Sequence, residues 1–468
     1  AAFEEGPSAR LCNGNRNPFP GRERLPVTPI PLSMIPERPV AGWSGRCPAR
    51  TRVASLADST LPASAAESAT LWIPRGGGNS FSDCAYVSKG LTFSSEGMDR
   101  ILEVDSDQGR VLCEAGVTNR DLFELLERPD LHAWTLPVPG GTGHVTVGGA
   151  SAGDIHGKNH PAQGSYGNHV QAMQVLTASG REVWCSADEN RDLFRATLGG
   201  MGLTGFIRKV RLQLVPLPAQ ALHLQTRPIP DAMTGTLRLF DEEPAELQMA
   251  WLDLAGRRVR GVLHFSRPTA RPPRPPRRIL RLPIPRIAFL NPWTAPWINR
   301  AIYRLHSHLD QVVRPQEAHH PLDAIPGFQK AYGPRGFVEY QFLVPPGQAE
   351  EGLRILVEAA RKAPAFHCVV KRFGPHPPAG LLSFAQEGFT FTTLFAARAG
   401  VFEVLDELTE RLIPLGARFN LTKDICMTSR HLEKTQVHLE EWRQIVRRWD
   451  PEGRIQSNLS LRLRLKPW

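Results

Sequence analysis

The stretch Gly140–Val170, GGTGHVTVGGASAGDIHGKNHPAQGSYGNHV, is too polar for a hydrophobic core and too patterned for a linker. Glycines without a Cβ let backbone N–H groups come close to a large, flat, anionic ligand. Asp154, His156, Lys158, Asn159 and His160 supply donors and titratable groups beside them. A segment of this chemistry reads as a flavin bed, and it is where redox chemistry is expected.

Working outward, a second glycine run, Arg75-Gly76-Gly77-Gly78-Asn79-Ser80-Phe81, follows the strand-like LWIP at 71–74. Consecutive amides at a strand end can nest a pyrophosphate while Arg75 neutralises its charge. The spacing is neither G-x-G-x-x-G nor G-x-x-x-x-G-K-[ST], so neither a Rossmann fingerprint nor a P-loop is indicated. Alone, such a run is more often only a turn; the second segment, Val145–Gly149 leading into Asp154–His160, gives it weight. No carboxylate lies between His156 and His160 as in H-E-x-x-H, and frequent glycine disfavours a helix presenting both, so no metal is expected.

At 468 residues the chain exceeds what one core usually serves, and 41% apolar composition suffices to bury two. The 56 Lys+Arg against 46 Asp+Glu give a net charge of +10. Much of that excess crowds one stretch: Arg257, Arg258, Arg260, Arg267, Arg271, Arg274, Arg277, Arg278, Arg281 and Arg286. Phosphate-bearing ligands, an anionic membrane surface and nucleic acid all suit such a stretch. No nucleic-acid motif accompanies it, so nucleic acid is not an expected partner. Seven scattered cysteines without a C-x-x-C pair argue against a disulfide framework or zinc site and favour a reducing compartment. No apolar run of about twenty residues predicts a spanning helix. The expected location is cytoplasmic or peripheral to a membrane, and a start at Ala1 without Met leaves a removed leader open.

Four segments are expected. Residues 1–39 read as an irregular arm. Residues 40–218 carry strand-like LWIP, LTF, ILEV and RVLCEAG, a capping box at Thr118–Asp121, and a hairpin turning at Ser179-Gly180. Residues 219–414 alternate strands (LHLQTRP, LQMAWLDL, VRGVLHFS, FVEYQFLV, FHCVVKRF, FTFTTLF) with amphipathic helices at 348–362 and 401–412, an antiparallel sheet backed by helices. Residues 415–468 return to complete the first domain. Within the second domain, 267–298 is rich in proline and arginine and then reads LPIPRIAFLNPWTAPWI. It is either a mobile surface loop or, with Trp293 and Trp297 beside cations, a patch that lies on a bilayer.

The two glycine segments resemble the vanillyl-alcohol oxidase/p-cresol methylhydroxylase type of FAD-binding domain. The DIHGKNH block is similar to the branch of that family that oxidises the 2′-hydroxyl of polyprenylphosphoryl-β-D-ribose. The likeness takes in Ala41-Gly42-Trp43, Leu198–Gly205, His320-Pro321-Leu322-Asp323, Ala331-Tyr332-Gly333-Pro334, Tyr340-Gln341-Phe342, Lys371–Pro375 and Thr422-Lys423-Asp424, most of the chain from about residue 41. It implies a two-domain α+β flavoprotein with an antiparallel-sheet substrate domain, and FAD in the crevice between.

By that resemblance Arg75, Gly76, Gly77, Gly78, Asn79, Ser80 and Phe81 wrap the pyrophosphate. Gly141, Thr142, Gly148, Gly149, His156, Gly157, Asn159 and Ile207 line the rest of the cofactor. Asn79 stands where members with covalent FAD carry histidine, so the FAD is expected to be noncovalent. Lys423 matches the lysine at the reacting end. Hydride reaching the flavin N5 leaves negative charge on the N1–C2=O edge, which a fixed cation stabilises. His156 is either the base for the hydroxyl proton or a hydrogen-bonding partner of the cofactor. Lys371, Gln341 and Trp251 match substrate-pocket positions, with Lys371 the partner for a substrate phosphate.

The chain departs from the pattern at four places. His319 stands for tyrosine, Thr390 for asparagine, Thr392 for cysteine in many members, and Phe81 for tyrosine. The implied reaction is oxidation of a secondary sugar hydroxyl to a ketone, with quinone or O2 as oxidant. An NADH-dependent short-chain reductase would act as partner in a two-enzyme 2′-epimerase. A soluble aldonolactone or alditol oxidase, and a flavin-binding membrane-surface protein without turnover, are the alternatives.

Overall fold

Short β-branched runs, punctuated by glycine and proline, become strands throughout. The computed structural model describes residues 35–45, 48–56, 70–274, 289–324 and 328–468. Strands β1 Glu37–Val40, β2 Ala49–Ser55, β3 Trp72–Arg75 and β4 Leu91–Ser94 form a sheet in the order β1-β2-β4-β3. Both β2 and β3 run parallel to β4, and β1 is antiparallel to β2. The expected irregular arm therefore ends before Pro39, since Glu37–Pro39 pair with Arg50–Arg52. Proline is tolerated there because β1 is an edge strand. Residues 1–34 of that arm lie outside the described residues.

The next strands are β5 Ile101–Asp105, β6 Arg110–Glu114, β7 Trp134–Thr135, β8 Val170–Leu176, β9 Glu182–Ser186, β10 Phe206–Gln213 and β11 Val215–Pro216. Five of them make an antiparallel sheet, β5-β6-β10-β8-β9, and β7 pairs with β11. The β8–β9 hairpin turns where expected, with Gly180 at φ +80°. Thr118 caps the helix Asn119–Leu125 in a capping box with Asp121, also as expected.

The second sheet system contains β12 Ala221–Ile229, β13 Leu247–Asp253, β14 Arg260–Thr269, β15 Asp310–Val313, β16 Phe337–Val344, β17 Ala365–Phe373, β18 Gly388–Ala396 and β19 Arg418–Phe419. They form one eight-stranded antiparallel sheet in the order β15-β12-β14-β13-β17-β18-β16-β19. One face is apolar: Ala250, Leu252, Leu263, Val370, Phe391 and Phe342 share a core with Leu353 and Leu356 of helix Ala349–Lys362 and Leu405 and Leu408 of helix Val401–Leu412. Each such leucine contributes about 1.5–3 kcal/mol by burial, so a charge at Leu356 would separate helix from sheet.

Side chains alternate across a strand, so the other face carries a different set. Trp251, Val369, Thr392 and Gln341 stand in one cross-strand row, and Lys371 pairs with Thr390 beside it. Glu339 shares that face two residues from Gln341. This polar face is the wall that positions the site.

After β19 the chain returns to the first sheet. Backbone bonds join Trp72 to Arg454 and Gln456, and the Trp442 indole donates to Ala196 O at 3.0 Å. Arg462 bonds both Asp83 and Asp424, and the buried Lys466 ammonium holds Asp450 at 2.7 Å.

The Arg267–Ile298 segment is not one loop. Arg267–Thr269 complete β14, and Ala295–Ile298 open a helix running to His306. Pro296 fits its first turn, where the missing N–H costs nothing. Nor is the arginine stretch uniformly basic, since Arg258, Arg260 and Arg267 pair with Asp231, Asp253 and Glu243. Arg277, Arg278, Arg281 and Arg286 lie outside the described residues.

Candidate active site

The two glycine runs, far apart in sequence, touch. A Cβ on Gly76 would stand 2.4 Å from Thr146 Oγ1, one on Gly77 2.9 Å from His144 O, and one on Gly148 2.7 Å from Ala115 Cβ. No side chain larger than hydrogen fits these positions without displacing a neighbour. The Asn79 amide donates to His144 O at 2.8 Å, tying the runs together. Gly78 takes φ +70°, and the Arg75 guanidinium folds against it while donating to Ala41 O at 3.1 Å. Burial lowers the pKa of Arg75.

The first run is also fastened to the returning C-terminal segment. Thr422 O accepts from Phe81 N, Ser82 N and Ser80 Oγ, the last at 2.7 Å. This brings Lys423 next to the loop, its Nζ 5.3 Å from the centre of the Phe81 ring. Around the second run, Thr142 Oγ1 donates to Asp323 at 2.6 Å and Gly143 N to the same carboxylate at 2.9 Å. Gly141 faces open space, whereas a Cβ on Gly149 would approach Thr146 Oγ1 to 3.0 Å. Asn159 donates to Pro137 O at 2.7 Å but leaves its Oδ1 without a partner among the described residues, directly over Gly157. Ile207 packs into the core of the five-stranded sheet.

Across from this cradle lies a connected polar network. Lys423 Nζ donates to Glu339 Oε1 at 2.5 Å; Glu339 is 4% exposed and its Oε2 has no partner among the described residues. The Gln341 amide nitrogen lies 3.1 Å from His156 Nε2 and 2.9 Å from Thr390 Oγ1, while its oxygen accepts from Asn420 Nδ2 at 2.9 Å. Asn420 Oδ1 in turn accepts from Thr422 N and Oγ1. Thr390 donates onward to Phe342 O at 3.0 Å, so it supports Gln341 from behind. Thr392 Oγ1 is buried without a partner among the described residues.

His156 is held between Phe373 and Phe384, at 4.8 and 5.5 Å between ring centres. Burial first, then the charges of Lys371 and Lys423, hold its pKa well below the usual histidine range, so the ring is neutral at pH 7. Its Nε2 accepts from the Gln341 amide in this assignment. The Lys371 ammonium is pushed down to about 7 by burial and by the neighbouring Lys423 and Lys158. Burial also brings Lys158, which donates to Ala318 O at 2.6 Å, down to about 8. His319 is buried, its pKa pushed well below the usual range by burial, and its Nδ1 has no partner among the described residues. A cavity of about 220 Å³ opens here, lined by Thr135, Pro137, Asn159, Gln163, Pro216 and His319. Trp251 is half-buried at the far end of the polar row.

These residues fit an FAD. The cradle excludes side chains where a nucleotide backbone must be approached closely. The lysines provide positive charge for anions, and Asn159 Oδ1, Glu339 Oε2, Thr392 Oγ1 and His319 Nδ1 are buried polar atoms without a partner among the described residues. Sequence reading named His156, Gln341, Lys371, Thr390, Thr392, Trp251, His319 and Lys423, and the structure brings them to this wall or its border. It missed Glu339 and Asn420. Glu339 left one signal, a charged residue in the middle of the apolar strand FVEYQFLV, where every position is buried.

Cradle and polar wall together define an FAD-dependent oxidoreductase. Residues 59–186 match the FAD binding domain family. The chain is 32% identical over 451 residues to a decaprenylphosphoryl-beta-D-ribose oxidase of Mycolicibacterium smegmatis, covering 91% of this chain and 97% of that protein. An L-gulonolactone oxidase of Bos taurus is 33% identical over 168 residues, 36% of each chain. A cytokinin dehydrogenase of Oryza sativa is 37% identical over 76 residues, 16% of this chain and 14% of its own. The chain belongs to the vanillyl-alcohol oxidase/p-cresol methylhydroxylase family, in the branch of the decaprenylphosphoryl-β-D-ribose oxidases.

Proposed function

We propose that this protein oxidises a secondary hydroxyl of a lipid-linked sugar phosphate to a ketone, the 2′-hydroxyl of a polyprenylphosphoryl-β-D-ribose. The observation that carries the reading is the meeting of Lys423, Gln341, His156 and Lys371 on the polar wall opposite the glycine cradle. Similarity across nearly the whole chain supports it, whereas the lactone-oxidase match spans about a third.

Arg75, Gly76, Gly77, Gly78, Asn79, Ser80 and Phe81 would hold the pyrophosphate of FAD, and Gly141, Thr142, Gly148, Gly149, Gly157, Asn159 and Ile207 the remainder. The Asn79 amide, engaged at His144 O, offers no group for covalent attachment, so the cofactor would be held noncovalently at this position. FAD when bound supplies the two-electron acceptor that such an oxidation needs.

The chain's own groups do the rest. Lys423 is a fixed cation at the reacting end, kept in place by Glu339. His156 is neutral and accepts at Nε2; when the Gln341 amide turns to the substrate, that lone pair is free to take the hydroxyl proton. Lys371, charged below pH of about 7, receives the phosphate. Trp251, His319, Thr390 and Thr392 shape the wall around the sugar. Quinone or O2 as oxidant, an NADH-dependent short-chain reductase as consumer of the ketone, and a cytoplasmic or peripheral membrane location belong to the same proposal.

The test is anaerobic addition of polyprenylphosphoryl ribose to the yellow holoprotein. Loss of the oxidised-flavin absorption supports the reading. Bleaching only by free sugars, alditols or aldonolactones would replace it with a soluble oxidase, and no bleaching by any of them with a non-catalytic flavoprotein.

A further inference from the structure

We infer that the outer face of helix Ala295–His306, with the turn leading into it, is a docking surface for a bilayer containing anionic phospholipid. The inference rests on the lipid-linked substrate proposed above. Trp297, Ala301 and Leu305 recur every fourth residue, so they form one stripe along the helix, and Trp293 stands in the turn just before it. Trp293 is 86% exposed, Trp297 72% and Leu305 71%. Arg300 and Arg304, both exposed, flank the stripe. Large apolar side chains bordered by guanidinium groups, on a helix too short to span, are the composition of an interfacial helix.

The stripe cannot be satisfied by turning inward, because the opposite face of the helix is already committed. Asn299 is buried and donates to both Asp253 Oδ1 and Phe366 O, each at 2.7 Å. Ala295 is fully buried in a cluster with Tyr332, Phe337 and Phe366. Tyr303 lies beneath the Arg260 guanidinium at 4.7 Å.

The same anchors place the stripe beside the site. Asp253 is two residues from Trp251 on the polar face of β13, and Phe81 of the first glycine run packs against the Ala295 cluster. A substrate whose polyprenyl tail stays in the bilayer would thus meet the crevice with its sugar phosphate leading. A protein partner would account for the tryptophans, but the flanking arginines and the short path to the crevice favour anionic lipid.

The experiment is co-sedimentation of the FAD-loaded full chain with vesicles of equimolar phosphatidylcholine and phosphatidylglycerol, and with phosphatidylcholine alone. Wild type should bind the first and bind the second weakly. Trp293→Ser with Trp297→Ser should weaken binding by about tenfold for each tryptophan removed. Arg300→Glu with Arg304→Glu should remove the preference for phosphatidylglycerol and its salt sensitivity. Val437→Ser, at an exposed site elsewhere, should change nothing. Retained flavin absorbance certifies folding of each variant. Failure of wild type to sediment, undiminished binding by the tryptophan variant, or loss of self-association in its place would overturn the inference. Vesicle binding without flavin bleaching by a soluble short-chain phosphoryl ribose would leave the surface standing and remove the functional reading; bleaching without vesicle binding would do the reverse.

Discussion

Replacing Lys423 by alanine is expected to reduce stability and catalysis by amounts that can be separated. Lys423 Nζ sits 2.5 Å from Glu339 Oε1, Glu339 is 4% exposed, and its other oxygen has no partner among the described residues. Without the ammonium that carboxylate is buried and unpaired, an arrangement that costs about 3–5 kcal/mol. Adding Glu339→Gln removes the charge and should restore most of the stability. It should not restore chemistry, because losing a fixed charge at the site of developing charge lowers the rate by about 10²–10³, roughly 2.7–4 kcal/mol. Thermal unfolding of the yellow proteins measures the first effect, and anaerobic stopped-flow bleaching the second. If the double variant reduced its flavin at the wild-type rate, Lys423 would be a partner for Glu339 and nothing more.

Other changes test other parts of the site. Gly76→Ala puts a Cβ 2.4 Å from Thr146 Oγ1 and should force the glycine runs apart, at about 1–3 kcal/mol, with flavin retention falling tenfold or more by dialysis; Gly141→Ala, which meets nothing within 4 Å, should not be limited by packing within the protein. Lys371 is a cation below pH of about 7 and neutral above, so KM for a phosphorylated substrate should climb with pH beyond that point, by up to about tenfold per unit, while Lys371→Arg should flatten the limb. Asn420→Ala leaves the Gln341 oxygen and Thr422 N–H without their bonds, at about 1–3 kcal/mol, and should lower kcat while the protein stays yellow.

Local chemistry explains what could be read along the chain. The capping box at Thr118, the turn at Gly180 and the strands of the second lobe are written within a few residues, and each formed near its expected place. The strand at Glu37–Val40 was missed because ERPV has no apolar alternation; pairing with Ala49–Arg52 alone makes it a strand. The helix at Ala295 was hidden by Pro292 and Pro296, which read as breakers until Asn299 is seen anchoring it to Asp253.

Sequence alone names residues that the structure brings together, but neither Glu339 and Asn420 nor the bonds that connect them. His156 and Gln341 are 185 residues apart, and Glu339 and Lys423 are separated by 84; no local pattern joins them. What joins them is strand alternation on β16, which sends Glu339 and Gln341 to one face, together with the return of the chain through Asn420 and Thr422 to the first glycine run. A buried carboxylate in such a place is costly unless a cation meets it. The requirement runs both ways: Glu339 needs Lys423 for its solvation, and Lys423 gains from Glu339 a fixed position beside the first glycine run. Glu339→Gln alone should therefore leave the fold nearly intact and loosen Lys423, lowering the bleaching rate far less than loss of Lys423 does. A Glu339→Gln rate as low as that of Lys423→Ala would mean that the carboxylate itself takes part in the chemistry.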